Sequence, residues 1–145
     1  MKDNKSVNLK ATSRSVKRFL SNYLKMFCLR TGLKTTDLNK NFSQKDFTLL
    51  TSDQNTALGL YIIYQAINNC DAKYQAILKK LYFDNKRQLD VMNDLSITHN
   101  TAWRWRLEAS NQFAANLIKL QKQFGINDLK DLRVFEEQGV KIMLN

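Results

Sequence analysis

With 145 residues, 43% hydrophobic and 25% charged, the chain has the material for one domain with its own core. It has no run of about 18 apolar residues, no CxxC pair, one histidine and four scattered glycines. A membrane span, a metalloenzyme, a Rossmann enzyme and a P-loop NTPase are therefore excluded, and no cofactor is expected. The net charge of +10 points to a polyanionic partner, nucleic acid before anionic membrane.

The charge is concentrated early: residues 1–50 carry eleven Lys/Arg against three Asp. Residues 1–12 are polar and basic and read as a flexible arm. The polar start contains no signal-peptide core, and Cys28 and Cys70 stand alone in apolar contexts. Both point to a reducing, cytoplasmic setting. From residue 13, Val16, Phe19, Leu20, Tyr23, Leu24 and Phe27 fall on one helix face. Ser13 or Ser15 serves as its cap and Gly32 as its end. Lys17, Arg18, Asn22 and Lys25 occupy the opposite face. Residues 33–42 are polar and give no clear pattern, and Ser43 caps a short turn through Phe47 to Leu50. Residues 54–69 are apolar almost all round, which predicts a central helix. Gly59 within it marks either a close helix crossing or a tolerated glycine. No segment alternates with period two, so the chain is expected to be all-α.

Residues 71–124 form the second region, after an N-terminal helical region at 13–70. Asp71 is expected to cap a helix carrying Tyr74, Ile77, Leu78, Leu81 and Tyr82, broken at Asp84-Asn85-Lys86. A short helix from Gln88 to Leu95 follows, then a turn at Ser96-Ile97. Thr98 is a good N-cap for a long helix running to about Phe124. Ala102, Trp105, Ala109, Phe113, Leu117, Leu120 and Phe124 fit its buried face. Three helices with a tight turn before the last form the layout of a tri-helical helix-turn-helix. The N-terminal residues of such a last helix enter the DNA major groove. Asn100 and Arg104 point away from the core, and their side chains suit adenine and guanine edges. Thr98, His99, Thr101, Trp103 and Arg106 are candidates for phosphate contact or docking.

The stretch from Asp90 to Trp103, with Leu95-Ser96-Ile97-Thr98 at its centre, resembles the C-terminal promoter-reading helix-turn-helix of bacterial sigma factors. Met92 and Ser96 depart from the Ala and Gly common there. The Ile77-Leu78 pair, the run Trp103-Arg104-Trp105-Arg106, Glu108-Ala109 and Phe113-Ala114 are similar to the ArpU-type phage regulators. So is the N-terminal helix with Tyr23. The resemblance covers roughly residues 14–118. It implies a transcriptional regulator of phage or prophage late genes in a Gram-positive bacterial host cell that binds double-stranded DNA, with a sigma-like helix-turn-helix wrapped by N-terminal helices. It also keeps open an adaptor that acts mainly by contact with RNA polymerase.

Leu107, Ala114 and Ile118 form a second apolar stripe on the long helix, to be covered by the N-terminal helices or by a homodimer partner. Residues 125–145 are expected to hold a short helix, capped by Asn127, carrying Leu129, Leu132, Val134 and Phe135 and ended by Gly139, and then a tail. Asp90 and Asp94 share a helix face, as carboxylates of a nuclease would. No third ligand joins them, so an enzyme is not expected.

Overall fold

The computed structural model describes residues 6–126 and 129–136. Every regular element among them is helical. Helix α1 (Leu9–Phe19) runs through a π turn (Leu20–Leu24) into α2 (Lys25–Thr31). A 3₁₀ turn (Thr35–Asn39) leads to the short α3 (Gln44–Thr48) and the apolar α4 (Gln54–Asn68). Helix α5 (Ala72–Leu78) ends in a second π turn (Lys79–Phe83). Helices α6 (Gln88–Leu95) and α7 (His99–Phe124) complete the order.

The expected core face of the first helix is present. Val16, Phe19, Leu20, Leu24 and Phe27 are all buried, with Tyr23 packed against them. Its beginning differs from the expectation. The helix starts at Leu9 rather than residue 13, because the Asn8 side chain accepts the Ala11 N–H at 3.0 Å. Residues 6–12 are therefore not a free arm. Val7 bridges Phe135, the Asn8 N–H donates to the Val134 carbonyl at 2.6 Å, and Thr12 is buried with its hydroxyl oxygen accepting the Val134 N–H. Ser13 does not cap; its hydroxyl meets Ser110 of α7 at 3.3 Å.

The chain end is the second correction. Residues 129–136 form no helix. The buried Gln121 side chain accepts the Leu129 N–H at 3.0 Å and donates to the Lys130 carbonyl. Those bonds hold the strand-like return that brings Val134 to Asn8. Leu129 and Leu132 are buried, as an apolar pattern requires, but in irregular backbone outside any helix. Asn127, Gly139 and residues 140–145 lie outside the described residues.

Helix α4 is central, as its all-round apolar character predicts. Ala57, Leu60, Ile62, Ile63, Ala66 and Ile67 are fully or almost fully buried. It packs on α2, α3, α5 and α7. Asp53 caps it by accepting the Asn55 and Thr56 N–H groups. Gly59 does mark a close crossing: a Cβ there would stand 3.2 Å from the Phe27 ring of α2. Ser43 and Asp46 form a reciprocal capping box on α3. Asp71 occupies the cap position of α5 without capping it. Its carboxylate accepts from the Gln112 amide at 2.8 Å, and its own N–H donates back to Gln112. The Asn116 amide donates to the Ala66 carbonyl. Thus α7 is bolted across the α4–α5 turn by two amide side chains.

One hydrophobic core spans the N-terminal helices and α5–α7. Helix α1 lies along α7, where Phe19 meets Phe113 at 6.2 Å between ring centroids. Ala114 of the second stripe is fully buried, and Leu107 is half-buried beside Lys10 and Arg14 of α1. The N-terminal helix faces Leu107. No described helix is long and apolar enough to cross a membrane.

Candidate nucleic-acid interface

The turn between α6 and α7 is three residues long. Ser96 closes α6 in left-handed backbone, φ 55 and ψ 47. Its N–H reaches the Asn93 carbonyl, and the Ile97 N–H donates to the Met92 carbonyl at 3.0 Å. This six-to-one closure satisfies carbonyls that the helix end would leave bare. Gly32 and Gly125 close α2 and α7 in the same way. Serine therefore does at residue 96 what glycine does at the other two ends. Thr98 follows in extended backbone and caps α7, its hydroxyl oxygen accepting the Thr101 N–H at 3.2 Å.

From that cap the candidate residues separate into two groups. His99, Asn100, Trp103 and Arg104 are exposed. Neither the His99 nor the Asn100 side chain is hydrogen-bonded among the described residues. Arg104 donates to the Thr101 hydroxyl oxygen at 3.4 Å, which leaves most of its guanidinium donors outward. Asn100 and Arg104 are four residues apart and share one face. Trp103 is 43% exposed, and the Lys10 ammonium of α1 lies 5.5 Å from its ring centroid.

The other three candidates are occupied internally. Thr98 and Thr101 bond to each other, hydroxyl to hydroxyl, at 3.0 Å. Arg106 is half-buried; it donates to the Gln88 side chain of α6 and lines one concavity with Tyr82. Burial pushes the Tyr82 hydroxyl above its ordinary value, against the opposing pull of the Arg106 charge. Arg106 ties α7 to α6.

The buried face of α7 is Ala102, Ala109, Phe113, Leu117 and Leu120, as the spacing predicts. Trp105 is half-buried, with the Lys73 ammonium 5.3 Å from its ring. Asp94 accepts from both Lys80 and Lys86, and Asp90 pairs with Arg87. The described residues contain no cluster of three His, Cys, Asp or Glu that could hold a metal ion.

The sequence reading did not foresee where the basic face of α1 lies. Lys10, Arg14 and Lys17 line a concavity with Trp103, Arg106 and Leu107. Their spacing on one helix face is visible in the sequence, but the crossing of α1 over α7 that turns that face toward Trp103 is not. Comparison with family models, with curated proteins and with solved structures finds no match to this chain.

Proposed function

We propose that this chain is a sequence-specific DNA-binding regulator of transcription, with α5, α6 and α7 as a helix-turn-helix and α7 as its reading helix. The ArpU-type resemblance suggests phage or prophage late genes as the targets. The observation that carries the reading is the first turn and a half of α7. Asn100 and Arg104 stand exposed on one face, beside Trp103, at the N-terminus of a capped helix. A helix N-terminus offers free N–H groups to a phosphate, while an Asn and an Arg on the adjoining face match base edges in the major groove. The three-residue turn and the Arg106–Gln88 bond support it by fixing α7 relative to α6.

The test begins with selection of genomic fragments by the purified protein, to obtain a binding sequence. Arg104→Ala should then weaken binding to that site by about 1–3 kcal/mol and relax preference at one base pair. Binding to scrambled duplex should fall much less. Arg104→Lys should restore little, because lysine lacks the planar fork. Equal losses on specific and scrambled DNA would make Arg104 a phosphate contact. No loss on either would remove α7 as the reading element.

A further inference from the structure

Two concavities, of about 400 and 340 Å³, adjoin between the N-terminal helix and the α5–α7 unit, and share Lys17 and Arg106. Their cations come from four segments: Lys10, Arg14 and Lys17 from α1, Lys25 from α2, Lys86 from the loop before α6, and Arg106 from α7. No carboxylate lines either one. Lys86 is neutralised by Asp94 and Arg106 is held by Gln88. Lys10, Arg14, Lys17 and Lys25 are exposed and have no ion pair among the described residues.

We infer that this stripe is a sequence-blind binding strip for the phosphate backbone of the same duplex that α7 reads. The inference rests on double-stranded DNA being the ligand of α7. The stripe runs fifteen residues along one helical rod, about 22 Å at 1.5 Å per residue. One DNA strand presents a phosphate every ~3.4 Å along the helix axis but winds as it rises, so a straight stripe of this length meets a few of them. Four like charges on one face repel one another, and a polyanion relieves that repulsion. The stripe begins at Trp103, one residue from Arg104, so a backbone laid in it continues from the base-reading face.

The choice of duplex over single strand comes from Trp103. Single-strand sites offer an open aromatic face on which a base stacks. Here the Lys10 ammonium already lies over the ring. The indole N–H at the ring edge remains as a donor, which suits a phosphate oxygen. Lysine ammonium groups are point charges that attract phosphate without reading sequence.

The test measures binding of the full chain to its selected duplex, to a scrambled duplex and to one strand of the selected duplex, from 50 to 200 mM salt. The variant is Lys10→Gln with Arg14→Gln and Lys17→Gln. Each phosphate contact contributes about 0.9 to the log–log salt slope, so three lost contacts should flatten it by about 2.7 on both duplexes. Across that salt range the loss of affinity should then shrink by about 40-fold. The ratio of specific to scrambled binding should stay unchanged. A second variant, Lys17→Gln with Lys25→Gln, leaves the Trp103 contact intact and should flatten the slope by about 1.8. Unchanged slopes in both variants overturn the inference. So does a wild-type preference for the single strand that the triple variant abolishes, which would make the stripe a single-strand site. If Arg104→Ala leaves specificity intact while the slope still flattens, the reading of α7 fails and the stripe stands.

Discussion

Ser96 offers a sensitive test of the turn that aims α7. Its backbone is left-handed, where the Cβ of an L-residue crowds the following carbonyl at a cost of about 1–2 kcal/mol. Glycine escapes that cost but loses about 0.4–1 kcal/mol more unfolded-state entropy. Ser96→Gly should therefore stabilise the fold by the difference, about 0.8 kcal/mol. For a domain of this size that is roughly 2–3 °C in Tm. Ser96→Val moves the other way. A β-branched residue belongs at the upper end of the cost of left-handed backbone, about 3 kcal/mol, so roughly 1 kcal/mol should be lost. Urea unfolding at constant m-value measures both. Under the proposed function Ser96→Gly should leave DNA affinity unchanged, because the closing bonds from the Ser96 and Ile97 N–H groups use backbone atoms alone. A destabilised Ser96→Gly, or a Ser96→Val as stable as the parent, would show that residue 96 is not left-handed. The angle between α6 and α7 would then have another origin.

Other perturbations probe the supports of the site. Gly59→Val should cost about 1–3 kcal/mol, because its Cβ alone would stand 3.2 Å from the Phe27 ring and its methyl groups have no room; Gly59→Ala should be near neutral, helix propensity offsetting the close contact. Burial pushes the Cys28 thiol up to about 11 and the Cys70 thiol up to about 12, so both should resist alkylation at neutral pH until the chain unfolds, and rapid labelling of native protein would refute their burial. The Lys86 ammonium, bonded to Asp94, holds that carboxyl below its ordinary value of 3.8. A depressed folded value means the pair stabilises above about pH 4 and its contribution is lost as pH falls through the folded value. The stability difference between the parent and Asp94→Asn should therefore vanish in acid; a difference that grows in acid would contradict the pairing.

Local spacing made most of the helices legible, because a buried stripe at helical period leaves a direct trace. That is how the faces of α1, α4 and α7 were visible, and how Thr98 was visible as a cap. The two π turns were not, since the six apolar positions from Val16 to Phe27 fit a continuous helix equally well. Leu129, Leu132, Val134 and Phe135 misled for a related reason. Apolar positions over two turns are compatible with a helix, but so short a helix is marginal without tertiary support. The buried Gln121 amide, eight residues away, takes the Leu129 N–H and holds the segment in irregular backbone instead. Likewise, the pairing of Val7 with Phe135 joins residues 128 positions apart by one bridge, and a single bridge has no period to detect.

The same distinction governs the candidate site. Asn100 and Arg104 could be named from the sequence because one capped helix fixes their face. Their orientation relative to the basic stripe is a long-range property, set where α1 meets α7 at Ser13–Ser110 and Phe19–Phe113. Arg104 lies nine residues from Phe113, about 13 Å along the helix. A tilt of about 10° at that crossing would move the guanidinium by roughly 2 Å. A bidentate contact tolerates a few tenths of an ångström around ~2.9 Å, so under the proposed function the reading geometry would depend on packing two and a half turns away. Arg106, bonded to Gln88 of α6 between those points, opposes that tilt. Its place near the start of α7, at the end of the run Trp103-Arg104-Trp105-Arg106, made it a candidate for phosphate contact or docking. Its position makes it a strut between α7 and α6, close to the exposed face of Asn100 and Arg104.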